Sequence, residues 1–117
     1  MTEDEVRQRA AIDRVLRVLR RQPWAEHVIV FGSVAAGAVV PGDVDILIMG
    51  DDHRGALAIA RRHYPLLDVF VEIEGRLYVR NPEATGWNKA IHPRAMRDSM
   101  RRTGVALADI PDMETQA

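Results

Sequence analysis

An α/β sandwich, a small mixed β-sheet with helices packed mainly on one face, is what this 117-residue sequence predicts. Three observations carry the prediction. Apolar residues recur at helical spacing from Thr2 to Arg21, then give way to short, largely apolar runs at Val28–Phe31, Val44–Met49 and Leu67–Ile73. A second helical pattern fills the interval before the last run and ends at His63. Prolines fall between these segments, at Pro23, Pro65 and Pro82, where they punctuate rather than interrupt.

In the first helix Ile12, Val15, Leu16 and Leu19 form the apolar stripe, and Arg9, Arg14, Arg17 and Arg20 are assigned to the other faces. Thr2 with Glu5 three residues on fits a capping box, and Pro23 ends the helix. The first strand, Val28–Phe31, runs into a Gly32-Ser33 turn, a segment of small residues and the second strand, Val44–Met49. Asp51-Asp52 suit the cap of a helix through Ala56, Leu57, Ile59 and Ala60 to His63. Pro65 stops that helix before the third strand. There Asp68, Phe70 and Glu72 share one face, and Val69 and Val71 the other. Glu74-Gly75 predicts a hairpin into a fourth strand, Arg76–Val79, which Asn81-Pro82 breaks. Thr85-Gly86-Trp87-Asn88 reads as a loop or a helix start. His92-Pro93 precedes a helix from Arg94 to about Thr103, with Gly104 as its C-cap. Met96 and Met100 would face the core, and Arg94, Arg97 and Arg101 would form a basic stripe. A short apolar segment, Val105–Ile110, and a polar tail follow.

The length suits one domain spanning residues 1–117. Its 47% apolar and 28% charged residues are those of an ordinary globular chain. A net charge of −1 gives no general pull toward nucleic acid or anionic membrane. Cysteine is absent, which excludes disulfides and thiolate metal sites. No apolar run approaches the roughly 20 residues that span a bilayer, and no signal peptide opens the chain. The cytoplasm is the expected compartment.

Chemistry concentrates between Val28 and Met49. Asp43 and Asp45 are two apart at the entrance to a strand, so both project from one side. Paired acids stay ionised comfortably only beside a cation, and hard oxygen ligands suit Mg²⁺. The Gly32-Ser33 turn just upstream offers a phosphate close backbone approach, N–H groups and a hydroxyl. Other candidates carry less. The arginines, Arg61 and Arg62 among them, read as solvated faces, Trp87 as packing and Glu72 as an auxiliary acid at most. His27, His53, His63 and His92 show no metal spacing.

Taken as a set, Gly32-Ser33, Gly37, then Asp43-Val44-Asp45-Ile46-Leu47 resembles the signature of the DNA polymerase β-like nucleotidyltransferases, in particular the small minimal nucleotidyltransferase type. The resemblance covers about residues 10–72. It implies the nucleotidyltransferase fold and a third carboxylate, Asp68, on the later strand. It implies catalytic and metal-binding roles for Asp43, Asp45 and Asp68, and nucleotide binding by Gly32, Ser33 and Gly37. The cofactor implied is Mg²⁺ (or Mn²⁺). The activity implied is transfer of a nucleoside monophosphate, AMP from ATP, to a hydroxyl of a protein, nucleic acid or small molecule. Small enzymes of this type are often paired with an all-helical HEPN-type toxin, so the alternative is a weakly active antitoxin or regulatory subunit. The chain departs from the pattern at Ala36, where an arginine is frequent, and at Gly42, where a serine is usual.

Overall fold

The computed structural model describes residues 1–80, 86–89 and 93–113. Helix α1 (Glu3–Arg20) opens with the expected capping box. The Thr2 hydroxyl accepts from the Glu5 N–H, and the Glu5 carboxylate accepts from the Thr2 N–H. Ile12, Val15, Leu16 and Leu19 are buried as the stripe predicts. Each contributes about 1.5–3 kcal/mol relative to exposure.

Arg9 departs from expectation. It is only 6% exposed and donates to the carbonyls of Val39 and Met113. The spacing explains why: three residues before Ile12 and seven before Leu16, it stands on the apolar stripe itself. Asp13, also fully buried, accepts from the Met113 N–H (3.2 Å) and from Arg17 (3.0 Å). Burial, then a hydrogen bond with Asp112, raises its pKa above the usual carboxylate value. Helix α1 thus clamps both the loop around Val39 and the C-terminal segment. Removing the guanidinium leaves two inward carbonyls without their donor. Arg9→Ala is therefore expected to cost about 2–4 kcal/mol in urea unfolding, and the exposed Arg14→Ala no more than about 0.5 kcal/mol. Equal effects would show that the clamp contributes nothing.

Among the described residues the sheet has six strands, in the order β5-β4-β3-β2-β1-β6. They are β1 (Val28–Phe31), β2 (Val44–Ile48), β3 (Leu67–Ile73), β4 (Arg76–Arg80), β5 (Trp87–Lys89) and β6 (Val105–Ala106). Strands β2 and β3 are parallel, joined through helix α3 (Ala56–His63), and the other neighbours are antiparallel. The β3–β4 hairpin turns at Glu74 (φ 52°) and Gly75 (φ 76°), both left-handed as a tight two-residue turn requires. Trp87 opens an edge strand instead of a loop or a helix. Its backbone register with Arg80 extends the sheet, and so short a strand has no periodicity of its own to announce it. The expected breaks at Asn81-Pro82, Thr85 and His92, and the tail from 114, lie outside the described residues.

The main core lies on the face that carries Val44, Ile46, Ile48, Val69 and Val71, where α1 and α3 pack. Trp24 is fully buried there, its indole N–H donating to the Arg54 carbonyl at 2.7 Å. The opposite face carries Leu47, Phe70 and Leu77 beneath Met96 and Met100 of helix α4 (Pro93–Thr103). Met96 and Met100 face inward as expected, but the basic stripe is not simply solvated. Arg97 donates to the Gly75 carbonyl (2.7 Å), and Arg101 pairs with Glu72 (2.6 Å). Both cations sit on one flank of α4, where they reach the hairpin end of the sheet.

Two cap assignments are also corrected. Helix α3 begins after Gly55 in a left-handed conformation, with no side-chain cap; Asp52 is turned to Arg54 instead. That fork of hydrogen bonds holds the Asp52 pKa down at about 2. Gly104 is not a left-handed cap. A Cβ on it would lie 2.0 Å from Ile29 Cγ2 and 2.4 Å from the Met100 carbonyl, so glycine lets the end of α4 pass close against β1.

Candidate active site

Strand pairing alone assembles the acids. In the antiparallel β1–β2 pair Phe31 faces Asp45, and in the parallel β2–β3 pair Asp45 faces Asp68. Residues opposite one another project from the same face. Phe31, Asp45 and Asp68 therefore form a row across three strands at one end of the sheet. Asp43 stands just before β2, two residues from Asp45. The face is the one that carries Leu47 and Phe70. Phe31 and Phe70 touch there with ring centroids 5.7 Å apart, forming an apolar floor beside the carboxylates.

The crowding has an electrostatic signature. The carboxyl of Asp45 is pushed up from 3.8 to about 7. Burial is the largest cause, followed by the charge of Asp43, a hydrogen bond between the two carboxyls, and the charge of Asp68. Sharing a proton is one way for adjacent acids to relieve repulsion; sharing a cation is the other. Among the described residues no three acids, histidines or cysteines are already arranged around a common metal position. A half-buried carboxyl crowded by two other acids is nonetheless a hard oxygen donor whose charge a small divalent ion relieves.

Gly32 and Ser33 begin α2 (Gly32–Ala35), a single turn directly after β1. Gly32 has φ +72°, and a Cβ there would stand 2.5 Å from Oδ2 of Asp45. Its lack of a side chain makes room for that carboxylate, a reason for glycine that the sequence alone did not suggest. Ser33 stands at the turn, and Gly37 (φ +78°) lies exposed beyond the helix. Ala36 is exposed at the C-terminal end of α2. Gly42 is exposed too, and a Cβ on it would meet nothing within 4 Å, so a serine there would fit.

Two residues that the sequence reading did not single out for this region hold the loop that delivers Asp43. Gln8 Nε2 donates to the carbonyls of Pro41 and Gly42, each at 3.0 Å, and Arg9 donates to that of Val39. Their signal was positional: Arg9 stands on the apolar stripe of α1 and Gln8 borders it, where a polar residue must find a partner. Glu72, the auxiliary candidate, is paired with Arg101 and lies four residues along β3 from Asp68. Trp87 packs against the main core.

A glycine-serine turn and three acids thus stand at one end of the sheet. A family model described as a nucleotidyltransferase domain matches residues 12–103, and that span includes all of these residues except the loop anchors Gln8 and Arg9. No curated protein and no solved structure gives a match. The order of the elements, the row of acids at the strand ends and the extent of the match lead to one conclusion: the chain belongs to the nucleotidyltransferase domain family.

Proposed function

We propose that the domain transfers a nucleoside monophosphate, AMP from ATP, to a hydroxyl acceptor with the help of Mg²⁺, for which Mn²⁺ can substitute. The observation that carries this reading is the position of Asp45, in register with Asp68 and hydrogen-bonded to Asp43, with its carboxyl driven to about 7 by burial and these neighbours. Asp43 and Asp45 would hold the divalent ion, with Asp68 adjoining it. The ion, when bound, neutralises charge on the departing pyrophosphate. Ser33 and the backbone from Gly32 to Gly37 would receive the distal phosphates. Asp68 takes the proton of the acceptor hydroxyl as its oxygen forms the new bond to the α-phosphorus. The bond from that phosphorus to the β-phosphate bridging oxygen breaks, and pyrophosphate leaves.

Incubation with ATP labelled at the α- or the γ-phosphorus tests this, with a cell lysate as the source of acceptors. Label from the α-position should become acceptor-bound, γ-label should not, and EDTA should abolish the transfer. Failure of α-label to move while Mg²⁺–ATP still binds would favour a second reading, an antitoxin or regulatory subunit for a HEPN-type partner. One observation supports that alternative. Ala36 leaves α2 without a basic residue beside the phosphate turn.

A further inference from the structure

We propose that the depression between β1 and α4 is the seat of the nucleotide's base, and that it selects purines over pyrimidines. The inference rests on the nucleotidyl-transfer reading above and adds the substrate's recognition element. A hollow of about 390 Å³ is lined by Phe31, Ala95, Met96, Ser99 and Met100. Its position follows from the geometry of α4. Met96 and Met100 point down to the sheet, and Arg97 and Arg101 lie on one flank, tied to Gly75 and Glu72 at the hairpin end. Ala95 and Ser99, one turn apart, fall on the other flank, and this flank faces the end of the sheet where the acids stand.

Phe31 joins the two sites. It lines the hollow, it is the register partner of Asp45, and it directly precedes Gly32. A nucleotide whose phosphates lie at Gly32–Ser33 has only its ribose to cross before reaching this wall. The wall suits a flat ring. Phe31 and two methionines supply an aromatic surface and polarisable thioethers, and Ser99 contributes a lone hydroxyl at the rim. A hydroxyl both donates and accepts, so it does not separate adenine from guanine. Stacking on apolar walls instead rewards ring area, which favours the bicyclic bases.

Calorimetry with Mg²⁺ and three probes tests the assignment: ATP, CTP and inorganic tripolyphosphate. Stacking of one base predicts ATP binding about tenfold tighter than tripolyphosphate, with CTP between them. Ser99→Glu places a charge in the exposed rim without touching the core. It should bring ATP down to the tripolyphosphate affinity and leave tripolyphosphate unchanged. Circular dichroism of that variant, and the milder Ala95→Ser as a second rim change with a smaller loss, separate loss of the seat from loss of the fold. Equal affinity of wild type for ATP and tripolyphosphate overturns the base seat alone. So does an equal drop for both ligands in Ser99→Glu. Failure of tripolyphosphate and ATP alike to bind wild type overturns the phosphate reading, and the base seat with it.

Discussion

Asp68→Asn should abolish nucleotidyl transfer while sparing the complex with Mg²⁺ and nucleotide. The variant keeps the size and shape of the side chain at a position locked in register opposite Asp45. Adjacent strands lie about 4.8 Å apart, so position 68 projects beside Asp45, one of the two carboxylates proposed to hold the ion. Losing a general base alone slows a reaction about 10²–10⁴-fold, and losing charge beside the ion adds to that. A strand-end acid with no chemical role would instead change stability by no more than about 0.5 kcal/mol and leave the rate alone. Single-turnover transfer of α-label, run beside nucleotide titration of the same preparation, separates the outcomes. Transfer within threefold of wild type would remove Asp68 from the mechanism.

The second large effect is on stability, and its sign reverses intuition. Asp45→Asn should make the metal-free protein more stable at pH 8. The folded-state pKa of Asp45 stands at about 7, above its ordinary 3.8. The native state therefore holds this proton more tightly than the unfolded chain does. The stability due to that proton is complete below about pH 4 and is lost as pH rises through 7. Above that, the ionised carboxyl is crowded by Asp43 and Asp68, and an amide is not. After discounting for the carboxyl's partial exposure to solvent, the variant should gain about 1–2 kcal/mol at pH 8 in EDTA. At pH 4 the two proteins should unfold at nearly the same urea concentration. Added Mg²⁺ should stabilise wild type and not the variant, because an ion that binds the native state alone raises its stability. A variant that is less stable than wild type at pH 8 in EDTA would contradict the crowding.

Much of this molecule was determined locally. The Thr2–Glu5 box, the apolar stripe of α1, the strands from Val28, Val44 and Leu67 and the Glu74-Gly75 hairpin all follow from short-range periodicity and turn chemistry. The spacing of Asp43 and Asp45, after a Gly-Ser turn, marked where the chemistry would lie, because a two-residue interval on a strand fixes a common face. Interactions between distant segments decided the rest. Only the parallel pairing of β2 with β3 sets Asp68 opposite Asp45, since register is a property of two strands and not of either one. Only the packing of α4 on the second face makes a wall of Met96 and Met100 beside Phe31, and recruits Arg97 and Arg101 as ties to the hairpin. Arg9 and Gly104 show the same division. A buried guanidinium needs carbonyls from 30 and 104 residues away, and a glycine at a helix end answers to the strand it touches. Such partners are brought together by the core, whose burial is energetic and non-directional, and a reading along the chain has no term for them.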